Sequence, residues 1–329
     1  MKSGKLDWDI LKNIIDNSRG AAREEVRIRS GIGEDCSVVK FGQYECVLST
    51  DPITGAQLNS GKLAVNINCN DVASCGVEPL GILVTILAPE KTELKQIKDL
   101  MTEISSEAKK LNVEILGGHT EVTAAVNKMI ISCTVIGRTL SGKAVATSGA
   151  ECDDDIIVTK DLCLEGTSII ANDYTHLLKD FLTENEINEA KKYMDNISVL
   201  KEGKLCGEFG VHSMHDITEG GILGAIWEVA EASKTGFEIF TDSIPLTAVS
   251  SKICNRFNID PLRFISSGSM LITAAHGEKL IKILRENGIK ATIIGKITKD
   301  KGILVNSDKK VEVSPPERDE LFIFKERYK

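Results

Sequence analysis

Apolar and polar positions in this chain repeat with two periods. Glu45-Cys46-Val47-Leu48-Ser49 predicts a strand ending at Asp51, and Leu80 to Leu87, rich in β-branched residues, predicts another. Between them, Lys62 to Ser74 has the composition of a helix. After Pro89, residues Leu94, Ile97, Leu100, Met101, Ile104 and Ala108 recur at helical spacing with charged residues between them, an amphipathic helix. Asn112 to Leu116 is strand text running into Gly117-Gly118, where a tight turn is expected, and Lys128 to Ile136 is a further strand. Polar residues interrupt these strands too often for an all-parallel sheet buried on both faces.

Ser141 to Asp155 turns small, polar and acidic, and the domain boundary is placed there, giving domains 1–150 and 151–329. Strand text restarts at Ile156-Ile157-Val158-Thr159, followed by a charged helical stretch over Thr183 to Asn196. A helix carrying Ile222, Leu223, Ile226 and Val229 leads to a strand at Phe237 to Phe240. A helix over Glu278 to Asn287 and strands at Ala291 to Ile294 and Gly302 to Val305 complete the pattern. Ser266-Ser267-Gly268-Ser269 lacks the G-x-S-x-G of a nucleophile elbow and reads as a small-residue turn before a strand at Met270.

Composition narrows the function. The 329 residues are 42% hydrophobic, as in a folded globular protein. A net charge of −8 and a pI near 5.4 provide no footprint for a nucleic-acid backbone. No apolar run reaches membrane-spanning length, and Met1-Lys2-Ser3-Gly4-Lys5 does not begin a signal peptide. Nine cysteines with no C-x-x-C pair suit a reducing cytoplasm and argue against zinc.

Three aspartates stand beside apolar segments: Asp35 in Gly33-Glu34-Asp35-Cys36, Asp51 in Ser49-Thr50-Asp51-Pro52 and Asp71 in Asn70-Asp71-Val72. Taken singly, each reads equally as a turn or surface residue. Brought together, they would suit Mg²⁺ bridging a triphosphate, because hard cations take oxygen ligands. Gly117-Gly118-His119-Thr120-Glu121 reads either as a plain turn or as a backbone approach to phosphate. In His215-Asp216-Ile217-Thr218-Glu219-Gly220-Gly221, Asp216 or Thr218 reads as a helix cap, or the helix start reads as an anion site. Neither glycine motif is a Walker A loop or a dinucleotide fingerprint.

In order, Gly31 to Val39, Ser49 to Gly55, Gly61 to Ala73, Gly117 to Thr120 and Asp216 to Gly221 resemble a superfamily. It contains aminoimidazole ribonucleotide (AIR) synthetase, selenophosphate synthetase, thiamine-monophosphate kinase and HypE, and the HypE-like, AIR synthase-related group is the most similar. The resemblance implies a two-domain fold: an N-terminal α/β domain whose sheet pairs with a second subunit's into a barrel-like homodimer, and a C-terminal α+β domain. It also implies ATP and Mg²⁺ in the cleft, and phosphoryl transfer to, or activation of, a small-molecule or protein acceptor. Asp35, Asp51 and Asp71 would hold the metal. Asn70, Gly117, Gly118, Thr120, Thr218, Gly220 and Gly221 would contact the nucleotide, and His119, Glu121 and Asp216 would serve catalysis. An accessory nucleotide-binding protein without turnover is the alternative. HypE proper ends in a cysteine, whereas the last cysteine here is Cys254, before a terminus reading Glu326-Arg327-Tyr328-Lys329. HypE also has Asp-Thr-Lys where this chain has His119-Thr120-Glu121, and Arg-Gly-Gly where it has Glu219-Gly220-Gly221. A different acceptor is therefore expected.

Overall fold

The computed structural model describes all residues except 1–3, 7, 19, 30, 32, 55, 57, 307, 308, 316, 317 and 329. Ile32 and Gly55 of the resembling segments, Met1-Lys2-Ser3 and Lys329 therefore lie outside the described residues. The chain begins with α1 (Trp8–Asn17), β1 (Val26–Ile28), β2 (Ser37–Phe41), β3 (Tyr44–Ile53) and α2 (Ser60–Ser74). It continues through β4 (Pro79–Ala88), α3 (Leu94–Lys110), β5 (Glu114–Val122) and β6 (Ile130–Leu140). The strands form one sheet in the order β1-β2-β3-β6-β4-β5, in which only β4 and β5 run parallel. The amphipathic pattern after Pro89 is α3, the crossover that a parallel pair requires.

One face of this sheet is covered and the other is open. Past a bulge in β4, Ile82, Val84, Ile86 and Ala88 are buried on the helix side. Leu83, on the alternate face, is 39% exposed, and Leu116 of β5 is 44% exposed. Helix α2 packs across β3 and β6 and against α3. It has no apolar stripe, because it is enclosed on nearly every side: twelve of its residues are buried, three asparagines and Asp71 among them.

The expected turn at Gly117-Gly118 is absent. Strand β5 runs through both glycines, with φ of +146° and +147°. A Cβ on Gly118 would lie 1.8 Å from the Val84 carbonyl oxygen. Gly118 lets β5 press against β4 beside the register shift, and the positive φ of both residues favours glycine.

The second sheet follows with β7 (Asp155–Thr159), α4 (Leu164–Asp173), α5 (Thr175–Leu178), α6 (Glu184–Lys192), α7 (Leu200–Phe209) and β8 (Ser213–Asp216). Next come α8 (Gly221–Ser233), β9 (Gly236–Phe240), α9 (Ala248–Phe257), β10 (Met270–Ala274), α10 (Gly277–Glu286), β11 (Ala291–Thr298), β12 (Ile303–Asn306), β13 (Lys309–Glu312) and α11 (Glu320–Arg327). Its order is β13-β12-β9-β11-β7-β10-β8, antiparallel except for β12 beside β9. Along β7, Ile156 and Val158 join one apolar cluster and Ile157 joins another, under α7 and α10, so helices cover both faces. Strand β8 is an edge strand. It ends at His215-Asp216, on the side facing the first domain.

Replacing Gly118 with alanine should destabilise the fold by on the order of 3 kcal/mol, since the close approach and the positive φ act together. Urea unfolding measures this, and a loss below about 1 kcal/mol would contradict the close packing of β5 on β4.

Candidate active site

Each wall of the site is set by local structure. Gly33 has φ +85°, and a Cβ there would meet the Glu228 carbonyl oxygen at 2.8 Å, so glycine lets the loop lie flat on α8. The Glu34 carboxylate accepts hydrogen bonds from the Thr147 and Ser148 amides at 3.1 and 3.2 Å, tying this loop to the segment between the domains. Asp35 is then presented beside α2, where its Oδ2 accepts from Ser74 Oγ at 2.7 Å. At Asp51 the backbone N–H donates to Asn68 Oδ1 at 2.8 Å, so α2 also fixes the end of β3. Asp71 Oδ2 accepts from Ser49 Oγ at 2.5 Å.

The second domain closes the opposite wall. His215 Nε2 lies 2.9 Å from Glu228 Oε2 and 3.2 Å from Asp35 Oδ1, and its Nδ1 lies 2.6 Å from the Asp216 carbonyl oxygen. Both ring nitrogens face acceptors only, so both carry protons and the ring is an imidazolium. Lys5 Nζ sits 2.6 Å from Glu228 Oε1, and its backbone N–H donates to Glu219 Oε1 at 2.7 Å. Asp35, Asp51, Asp71 and Asp216 thus line one cavity of about 460 Å³, together with His215 and Lys5. Asp216 is 1% exposed, and its Oδ2 has no hydrogen-bond partner among the described residues.

Burial, and then neighbouring charge, shifts the groups at the centre of the site. Burial raises the Asp35 carboxyl to about 6, with His215 and the Ser74 hydrogen bond opposing it. Burial, then neighbouring aspartates, lift Asp71 and Asp216 well above the ordinary carboxylate range. Desolvation in the cleft also raises Asp51, against the pull of Lys5. For His215, burial lowers the pKa, but Asp35 and Glu228 outweigh it and push the ring up to about 10. Glu228 moves the other way, to about 2, because Lys5 and His215 together overcome its burial. Asp35, His215 and Asp216 have ligand-type atoms within 4.8 Å of one another. The imidazolium has no lone pair to give, so His215 acts there as an internal counter-ion and the oxygens are the available donors.

Other residues singled out in the sequence fall elsewhere. Asn70 is fully buried; its Nδ2 donates to the Ile197 carbonyl at 2.8 Å and its Oδ1 accepts from the Val199 amide at 2.9 Å. Its amide is consumed in clamping α2 to the second domain. Gly118 shares a sheet row with Asp51 through Val84 and Cys133, three strands away, or about 14 Å. His119, Thr120 and Glu121 are exposed on that edge strand, with His119 Nε2 3.3 Å from Glu121 Oε2, and they do not line the cavity of their own chain. Thr218 does line it. The cap of α8 is Gly220 in the left-handed region, with no side-chain cap, so neither Asp216 nor Thr218 caps that helix. The Gly220 amide donates to Asp319 Oδ2 at 2.7 Å, and the next donors are taken by carbonyls of Thr218, Leu262 and Gly220. Four of the five amides from Gly220 to Gly224 are therefore taken by the protein itself. Gly221 is needed because a Cβ would fall 2.7 Å from the Leu262 carbonyl oxygen. No role for His215, Lys5 or Glu228 was read from the sequence, although His215 adjoins Asp216 and Glu228 lies two helical turns beyond Gly221.

Models of AIR synthase related proteins match this chain twice, the N-terminal domain over residues 33–139 and the C-terminal domain over 152–306. The chain belongs to the AIR synthase related family. A protein of Methanocaldococcus jannaschii, provisionally named for hydrogenase expression and formation, is 30% identical over 323 residues, covering 92% of this chain and 91% of its own. The carbamoyl dehydratase HypE of Bradyrhizobium diazoefficiens is 23% identical over 84% of this chain and 83% of its own. The thiamine-monophosphate kinase of Bacillus subtilis is 27% identical over 66% of this chain and 68% of its own. The same fold appears in a HypE–HypF complex (TM-score 0.76, 19% identity, 94% of this chain and 98% of that one). It also appears in AaThiL complexed with AMPPCP and TMP (TM-score 0.73, 20% identity, 94% of each chain). The two-domain AIR synthase-like fold expected from the motifs is thus the fold of the family. No helix among the described residues is long and apolar enough to cross a membrane.

The raised Asp35 pKa fixes a sign. An acid whose folded-state pKa lies above its ordinary 3.8 stabilises the fold below that value and loses the contribution as pH rises through about 6. In EDTA, the melting temperature of the wild type should fall between pH 4 and 7 by more than that of Asp35→Asn. Parallel pH profiles for the two proteins would remove Asp35 from the set of strained carboxylates.

Proposed function

We propose that this protein is an ATP- and Mg²⁺-dependent enzyme that transfers a phosphoryl group to, or activates an oxygen of, a small-molecule acceptor. The observation that carries the reading is the convergence of four aspartates from both domains on one cavity, with Asp216 Oδ2 buried and unpartnered. Carboxylates held this dry lose hydration, which raises Asp35, Asp71 and Asp216, and repulsion between neighbouring aspartates adds to the rise at Asp71 and Asp216. An all-oxygen donor set with an orphaned buried atom fits a hard divalent cation. Asp35, Asp51, Asp71 and Asp216 would hold it, and it would supply charge neutralisation for a triphosphate and orient the transferred group. Ser49 and Ser74 fix the rotamers of Asp71 and Asp35. His215 and Glu228 brace the second-domain wall, and Lys5 covers the cavity from the N-terminal segment. ATP in a HypE structure of this fold, and AMPPCP in AaThiL, support a nucleotide here.

The open face of the first sheet supports a homodimer as part of the same reading. Leu83 and Leu116 are exposed on it, and a second copy of the sheet would remove them from water. Such a dimer would place the partner's edge strand near the cavity, the arrangement in which His119 and Glu121 could reach a nucleotide.

Asp51→Asn and Asp71→Asn should each weaken Mg·ATP binding by roughly tenfold or more while leaving the fold intact. Calorimetry giving wild-type affinity for both variants would sink the metal assignment. Phosphorus NMR with ATP and candidate acceptors separates phosphoryl transfer from tight binding without turnover, the outcome that would favour an accessory role. Sedimentation should show a wild-type dimer and a monomeric Leu83→Glu/Leu116→Glu double variant; a monomeric wild type would refute the paired sheet.

A further inference from the structure

A second cavity, of about 610 Å³, opens where the first residues of β4 meet the turn after α3 and the start of α7. It lies at the other end of the first sheet. Asp51 pairs with Cys133 of β6, and Arg138 of the second cavity lies five residues further along that strand, about 17 Å away. Four cations line it: Lys110 and Arg138 from the first domain, Lys201 and Lys204 from the second. Glu78 is the one carboxylate in its wall among the described residues. In a chain of net charge −8 this is a local reversal of sign.

The cations differ in how they are held. Lys204 Nζ lies 2.9 Å from Glu78 Oε1, and Lys110 Nζ lies 2.9 Å from Glu107 Oε2, a group outside the cavity wall. Lys201 Nζ donates to the Asn287 carbonyl. Arg138 stacks on the Tyr44 ring, 4.9 Å from its centroid, and its guanidinium has no hydrogen-bond partner among the described residues. That planar fork of free donors matches a phosphate group in geometry. Lys201 and Lys204 project from one face of the first turns of α7, where the helix dipole also favours an anion. Glu202, between them, is turned away into a 2.8 Å ion pair with Lys160. Leu80, Leu111 and Leu200 supply apolar surface beside the charges. The volume is that of a small-molecule site.

We propose that this second cavity binds a small phosphorylated organic molecule, with its phosphate on Arg138, Lys201 and Lys204 and its apolar body on the leucines. The site is separate from the carboxylate cavity. Its wall also contains Ser198, within the loop whose Ile197 and Val199 are clamped by Asn70.

Calorimetry in excess EDTA tests this, because the metal-free carboxylate cavity repels anions. AMP should bind once per chain, at least tenfold more tightly than inorganic phosphate. Arg138→Ala and Lys204→Ala should each weaken AMP at least tenfold, with melting temperatures checked to exclude unfolding. No saturable AMP binding, or binding unchanged in both variants, would overturn the proposal. So would phosphate binding as tightly as AMP, or AMP binding that is lost in Asp51→Asn.

Discussion

Helix α2 imposes the constraint on which the rest of the molecule depends. A helix enclosed on nearly every side must satisfy each polar group it carries inward, because an unpaired buried amide costs about 1–3 kcal/mol. Asn66 donates to the Glu107 carboxylate of α3, Asn68 holds the backbone of β3 at Asp51, and Asn70 clamps the loop at 197–199. One helix thereby fixes its neighbouring helix, the central strand and the second domain. Asp71, the next residue, is delivered to the cavity as part of the same arrangement.

From that frame the electrostatics follow. Once α2, β3 and β8 are locked, Asp35, Asp51, Asp71 and Asp216 have nowhere to separate to, and desolvation makes their negative charge harder to sustain. The protein answers with two cations of its own, the His215 imidazolium and the Lys5 ammonium, both anchored on Glu228. The result is a site rigid in position and strained in charge. Such strain favours a ligand that brings positive charge with it, which is the physical link between the packing of α2 and the proposed chemistry.

The same packing gives two glycine motifs structural roles that the motifs alone do not show. Gly117-Gly118 looks like a turn, yet both glycines lie inside β5, where Gly118 lets that strand press against β4. Gly220-Gly221 looks like an open helix start, yet Asp319, nearly a hundred residues away, takes the first free amide. Glycine reports that something comes close. It does not report whether a ligand or another backbone does.

Much was decided by local sequence. The hydrophobic periods laid out α3, β4, β6 and β7, because amphipathic spacing is a property of consecutive residues. The order of the aspartate and glycine segments indicated the family and its two-domain fold. Only the tertiary structure decided which polar residues meet. Asn70 became a clamp, His215 an imidazolium, and Asp216 a buried carboxylate within reach of Asp35, with one oxygen unpartnered among the described residues. His119 went to an exposed edge strand three strands from Asp51. Those outcomes depend on contacts between residues far apart in the chain, on burial and on neighbouring charge, none of which a one-dimensional pattern contains.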